Sequence, residues 1–185
     1  MRVVISGIPG VGKSTVLDIV SKKSQYEIVN FGTLMFDMAR DLDLVKSRDD
    51  IRKLDIDTQK NLQKKASNSL GKMDNIIIDT HMSIKSPSGY LPGLPEWVLK
   101  ELMVSAYFLI ESKPEEILRR RANDLTRKRD EDNIENIEEY QAMNRYYAAA
   151  YSVYSGATVK FIYNPDNYPD VAAKNILEGL KNATE

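Results

Sequence analysis

The sequence predicts an α/β fold: a parallel five-stranded sheet with helices on both faces. Two observations carry this. Five short apolar runs, at residues 3–6, 27–30, 76–79, 105–110 and 159–163, alternate with stretches whose apolar residues recur every three or four positions. Several of the runs are continuous rather than alternating, which is the pattern of strands covered on both sides. Right-handed crossovers then place ligands beyond the carboxyl ends of the strands. The informative residues are therefore those where an apolar run turns polar: Ser6-Gly7, Asn30-Phe31-Gly32, Asp79-Thr80-His81 and Glu111.

The elements follow in order. The first run ends in a glycine-rich loop, and a helix with Val16, Leu17, Ile19 and Val20 follows it. After the second run, Leu34, Met35, Met38, Ala39 and Leu42 mark a second helix. Ile51, Leu54, Thr58, Leu62, Ala66 and Leu70 fall on one face of a third. The third run comes next, and then the fourth. Ser112, with Pro114 and Glu115 behind it, predicts a capped helix start. Ile137, Tyr140, Asn144, Tyr147, Ala148 and Tyr151 share one side of a long helix that Gly156 is placed to end. The fifth run and a last helix over about residues 170–180 complete the chain.

Composition narrows the function. A chain of 185 residues fits one domain, 1–185, with its own core. Hydrophobic residues make up 42% and charged residues 29%, and the formal net charge is -1. A nucleic-acid binder carries a basic excess, so no nucleic-acid partner is expected. The absence of cysteine excludes disulfides and thiolate zinc sites, and the single histidine, His81, excludes a multi-histidine metal site. The apolar run at the N-terminus is too short for a signal-peptide core, and no stretch approaches membrane-spanning length. A cytoplasmic setting without a membrane partner is the expectation.

The chemistry begins at Gly7-Ile8-Pro9-Gly10-Val11-Gly12-Lys13-Ser14, which matches G-x-x-x-x-G-K-[ST] between a strand and a helix. Its glycines let backbone amides turn inward around phosphates, and the following helix adds its positive end. Lys13 is the point charge for the outer phosphates, and Ser14 offers a hydroxyl to magnesium. Asp79 ends the third strand, where such a protein keeps a second magnesium-organising carboxylate. A plain turn aspartate is the alternative. Residues 119–130 hold five arginines among Asp124 and Asp130. They are either a solvated helix end or a lid that closes over the nucleotide and spreads positive charge over the transferred group. Arg145, on the long helix among apolar and tyrosine positions, either pairs with a local glutamate or points into the phosphate site.

At these residues the chain resembles the archaeal type of adenylate kinase, almost end to end. The blocks are Gly7 through Thr15, Asn30-Phe31-Gly32-Thr33, Arg48-Asp49-Asp50-Ile51-Arg52-Lys53-Leu54, Asp79-Thr80-His81, Pro87-Ser88-Gly89-Tyr90-Leu91-Pro92-Gly93-Leu94-Pro95, Thr126-Arg127-Lys128-Arg129-Asp130 and Gly156-Ala157-Thr158-Val159-Lys160. The resemblance implies ATP + AMP ⇌ 2 ADP with Mg2+, a three-layer α/β/α P-loop fold, an AMP-binding helical region at about 31–72, a lid at about 119–136 and a homotrimer. It implies ATP held by Gly7, Ile8, Pro9, Gly10, Val11, Gly12, Lys13, Ser14 and Thr15, and phosphates clamped by Arg120, Arg127, Arg129 and Arg145. AMP is then lined by the Phe31-Gly32-Thr33 turn, Arg52, Thr80, His81, Lys85 and Tyr90. Lys128 stands where the family often has asparagine, and Lys85 where some members have arginine; lysine lacks the bidentate fork.

The residues support this independently. A nucleoside monophosphate presents an oxygen already ionised near neutral pH, so it needs positioning and charge rather than a base. The polar ends at Asn30 and Asp79 are expected to flank the P-loop strand and open on one crevice. Phe31 or Tyr90 offers aromatic surface for a purine there. Two alternatives stay open at this point: a kinase for another nucleoside monophosphate or small acceptor, with Asp79 as base, and a P-loop ATPase that acts as an assembly factor.

Overall fold

The computed structural model describes residues 1–123 and 133–182. Arg127, Lys128 and Arg129 lie outside them, with most of the expected lid. Five strands, β1 (Arg2–Ser6), β2 (Glu27–Asn30), β3 (Ile76–Asp79), β6 (Ala106–Glu111) and β7 (Thr158–Tyr163), form one parallel sheet in the order β2-β3-β1-β6-β7. Each covers an expected run to within a residue at either end. The order corrects one expectation. The ends of β2 and β3 do not flank β1; both lie on the same side of it, with β3 adjacent and β2 beyond, and β6 borders β1 on the other side.

Alternation along the strands divides the core in two. Val4, Ile76, Ile78, Tyr107 and Leu109 cluster with α2 (Phe31–Asp41), α3 (Ile56–Gly71), α4 (Glu96–Leu102) and α6 (Ile134–Ser155). Val3, Ile5, Ile77, Ala106, Phe108 and Ile110 cluster with α1 (Lys13–Lys23), α5 (Pro114–Ala122), α7 (Pro169–Asn182) and the start of α6. Both faces of every central strand are dry, which is why the runs read as continuous. Each such side chain is worth about 1.5–3 kcal/mol on burial.

Three local features differ from expectation. The face running from Ile51 to Leu70 is not one helix: residues Arg48–Lys53 form a 3₁₀ turn, and α3 starts afresh where the Asp55 side chain accepts from the Thr58 amide at 2.9 Å. Ser112 does not cap α5. The Lys113 amide donates to Glu116 at 3.2 Å, and Ser112 turns inward to donate to the Asn164 carbonyl at 2.6 Å. Two further strands, β4 (Ser83–Ser86) and β5 (Gly89–Pro92), pair as an antiparallel hairpin apart from the main sheet.

That hairpin is hung on α6. Asn144 Oδ1 accepts from the Ser83 amide and hydroxyl at 3.1 and 2.7 Å. The hydroxyls of Tyr140, Tyr147 and Tyr151 donate to the carbonyls of Ser83, Tyr90 and Met82 at 3.2, 2.7 and 2.8 Å. Gly156, at φ 73°, ends α6 as expected.

Candidate functional site

The carboxyl end of β1 runs into the phosphate loop. Gly10 and Gly12 sit at φ 88° and 87°, a left-handed backbone that side chains rarely adopt, so the loop can turn its amides inward only with glycine there. Gly12 is the residue before α1, whose first turn carries no acidic residue, so its positive end is left for an anion. Ile8 and Val11 point into the core and anchor the loop from behind, while Ser14 and Thr15 are exposed at its front.

Lys13 leans across the crevice to the end of β3. Its ammonium is ion-paired with Asp79 Oδ1 and donates to the Thr80 carbonyl at 3.3 Å. Both side chains are mostly shielded, at 14% and 15% exposure, so the pairing is close and little screened. Asp79 Oδ2 accepts from Asn30 Nδ2 at 2.7 Å, across the β2–β3 register that sets the two residues side by side. Ser14 and Asp79 together offer one hydroxyl and one carboxylate. No group of three or more His, Cys, Asp or Glu that could cage a metal occurs among the described residues. A sparse set of hard oxygen donors suits Mg2+, which keeps waters and nucleotide phosphates as its other ligands.

The arginines divide by what they touch. All three nitrogens of the Arg120 guanidinium are engaged by protein groups. Nε donates to Asp166 at 2.7 Å, Nη1 to the Val11 carbonyl at 2.8 Å and Ser112 Oγ at 3.0 Å, and Nη2 to the Asn164 carbonyl at 3.1 Å. It grips the backbone of the phosphate loop. Asn164 helps from its buried position, donating from Nδ2 to the same Val11 carbonyl at 2.8 Å. Arg121, one of the five arginines but given no role of its own in the sequence reading, lies across the loop tip and donates from Nε to the Pro9 carbonyl at 2.8 Å. The available signal was spacing: Arg121 is one turn after buried Ile117, so it shares the face turned to the loop. Arg145 makes a two-point contact with Glu111 at the end of β6, both at 2.7 Å, and stands 5.6 Å over the Phe161 ring. The local-glutamate alternative is what this structure contains, at the crevice edge and with the arginine still half exposed.

The expected AMP side is mixed. Phe31-Gly32-Thr33 is the first turn of α2 rather than a free turn, and the Phe31 ring is buried in the core, away from any base slot. Tyr90 is the remaining aromatic candidate: it lies on β5 against Tyr140, with Lys85 5.9 Å over its ring, and burial pushes its hydroxyl up to about 12. Thr80 is buried at the root of the crevice. Arg52 is exposed on the 3₁₀ turn, and Arg48, also missed, donates from Nη2 to Asn30 Oδ1 at 2.9 Å.

His81 opens onto the same crevice. Part of its surface meets solvent, yet its walls and charges drive the imidazole down to about 4. Desolvation is the largest cause, the Lys13 charge next, with Asp79 opposing and Arg48 and Arg52 adding. It is neutral at pH 7. The charges of Lys13, Arg48 and Arg52 thus all reach His81.

Known proteins can be compared with this geometry. A family model described as an AAA domain matches residues 6–138. An adenylate kinase from Thermoplasma acidophilum is 60% identical over 178 residues, covering 96% of this chain and 97% of that protein. One from Thermoplasma volcanium is 55% identical over 181 residues, covering 98% and 100%. Among solved structures, a shikimate kinase from Bacteroides thetaiotaomicron superposes with a TM-score of 0.65 over 98% of both chains at 10% identity, a likeness of fold.

Proposed function

This chain belongs to the adenylate kinase family, and from that premise we propose that its crevice moves the terminal phosphoryl group of MgATP onto AMP. The protein is an ATP:AMP phosphotransferase. An ionised phosphate oxygen of AMP bonds to the γ-phosphorus, the bond from that phosphorus to the β-bridging oxygen breaks, and two ADP result. No proton has to be removed, so positioning and charge supply the catalysis. The observation that carries this reading is the phosphate loop with Lys13 set against Asp79 at the strand ends.

In the proposed reaction Lys13 leaves Asp79 for the outer phosphates. The loop amides and the start of α1 hold the donor. Ser14 and Asp79 would hold Mg2+, which when bound supplies charge neutralisation between the phosphates. Arg120 and Arg121 keep the loop in shape, and Arg127, Arg129 and Arg145 add positive charge around the transferred group by resemblance. Arg48, Arg52 and Lys85 line the AMP side, with Thr33, Thr80, neutral His81 and Tyr90. Residues 31–72 serve as the AMP region and 119–136 as the lid. A homotrimer in a cytoplasmic setting completes the proposal. No helix among the described residues is long and apolar enough to cross a membrane.

Lys13→Ala tests the reading. The variant should fold as the parent does and lose ADP formation by hundreds-fold or more, because its charge is aimed at the transferring phosphate. A folded variant with near-parental turnover rejects the site.

A further inference from the structure

Asn30 ends β2 and precedes α2, and its amide is committed at both ends. Oδ1 accepts from the Thr33 amide at 2.9 Å, the Thr33 hydroxyl at 3.0 Å and Arg48 Nη2 at 2.9 Å. Nδ2 donates to Asp79 Oδ2 at 2.7 Å. The orientation of the amide is forced. Two of the groups at Oδ1 are obligate donors, and the carboxylate at Nδ2 only accepts. A flipped amide would set N–H against N–H at one end and oxygen against oxygen at the other.

The result is a continuous line of polar contacts: Arg48, Asn30, Asp79, Lys13. It runs from the 3₁₀ turn on the acceptor side to the lysine of the phosphate loop. The backbone is shaped for it. A Cβ at residue 32 would collide with Arg48 Nη2, so glycine there lets the guanidinium lie over the start of α2. Capping α2 needs only one acceptor, which serine supplies equally well. An amide nitrogen aimed at Asp79 is not explained by capping.

We propose that Asn30 is a positioning residue of the reaction: its amide N–H holds the Asp79 carboxylate in place when Lys13 is drawn off it onto the phosphates, and its carbonyl ties that carboxylate to Arg48. Asp79 has two oxygens and, in this structure, a side-chain partner for each. When the lysine leaves, Asn30 is the side chain that still fixes the carboxylate. This rests on the reading of Asp79 as the carboxylate that serves Mg2+. Hydrogen bonds that orient a metal ligand are worth about 10- to 100-fold in affinity or activity.

The test uses three variants. Asn30→Ser keeps a cap on α2 and loses the donor to Asp79. Asn30→Asp keeps both the cap and an acceptor for Arg48, and also loses the donor. Asp79→Ala reports on the underlying reading. ATP binding is measured by calorimetry with EDTA and with Mg2+, beside kcat, KM and Tm. Both Asn30 variants should keep ATP affinity in EDTA within about twofold. They should lose about 10-fold or more in kcat, with Tm close to the parent. Asn30→Ser should also lose about 10-fold of the strengthening of ATP binding by Mg2+. If either variant keeps parental kcat, or if Asn30→Ser keeps the full Mg2+ effect on binding, the proposal is overturned. It is equally overturned if Tm falls and the kinetic constants do not, since Asn30 is then a cap and nothing more. Asp79→Ala separates the two levels. Parental activity there removes the Mg2+ reading itself, whereas a dead Asp79→Ala beside active Asn30 variants removes only the role of Asn30.

Discussion

Replacing Arg120 with alanine separates two roles that sequence alone does not distinguish, a brace for the phosphate loop and a clamp on the phosphates themselves. The guanidinium bonds two backbone carbonyls, one hydroxyl and one carboxylate. Charge-assisted hydrogen bonds of this kind are worth about 1.5–3 kcal/mol each in isolation. The loss is smaller than their sum, because the orphaned acceptors keep other partners. The Val11 carbonyl retains Asn164 Nδ2, the Asn164 carbonyl retains Ser112 Oγ, and Asp166 retains Arg119. The net cost should be about 2–3 kcal/mol, most of it from shielded Asp166 and the loosened loop. For a chain of this size that lowers Tm by about 5–10 °C. Thermal unfolding followed by circular dichroism reads the stability, and steady-state kinetics with varied MgATP reads the function. The brace predicts a rise in KM for ATP alongside the fall in Tm, with partial recovery at most in Arg120→Lys, which lacks the fork. An unchanged Tm with kcat reduced a hundredfold would refute this and return Arg120 to the clamp.

Three further outcomes follow from the same arrangement. Arg127→Ala and Arg129→Ala should lower kcat with little change in Tm; if both keep kcat, that segment is a solvated surface and not a lid. His81 is the chain's single histidine, and its folded value near 4 lies below the unfolded value near 6.5, so the unfolded chain binds the extra proton between them. Stability should therefore fall as pH drops from 6.5 toward 4, by about 1 kcal/mol once the partly solvated ring is allowed for, and His81→Gln should flatten urea-unfolding profiles over that window; an unchanged slope removes the claim that the crevice keeps His81 neutral. Sedimentation at micromolar concentration should find a trimer, and a stable monomer of 21.0 kDa would contradict it.

How much of this was legible depends on where the stabilising partners lie. The five parallel strands were legible because each is apolar on both faces, and the phosphate loop because its glycines and lysine have to be where they are. The hairpin was not. Its strands contain Ser83, Lys85, Ser86 and Pro92, and they stand because tyrosines and an asparagine of α6, more than fifty residues later, supply the hydrogen bonds. The same contacts make Tyr147 and Tyr151 intramolecular struts, while Tyr146 and Tyr154 are exposed. Phe31 was read as a ligand surface from its place after a polar strand end, but helix α2 begins at that residue and turns the ring inward. The tie between Arg48 and Asn30 escaped because its meaning is in the pair: neither motif nor period shows that a guanidinium eighteen residues on returns to a strand end.

The most direct measurement compares kcat/KM for AMP, GMP, CMP and UMP at saturating MgATP in a coupled ADP-formation assay. On the proposed reading the base is held by the proline- and glycine-rich segment at 87–95 and Tyr90, and a site that bonds the adenine 6-amino group leaves buried polar groups unpaired with guanine. AMP should exceed GMP by about a hundredfold or more in kcat/KM. If GMP, CMP or UMP matches AMP, the site is that of a broad nucleoside monophosphate kinase and the adenine-specific account is wrong.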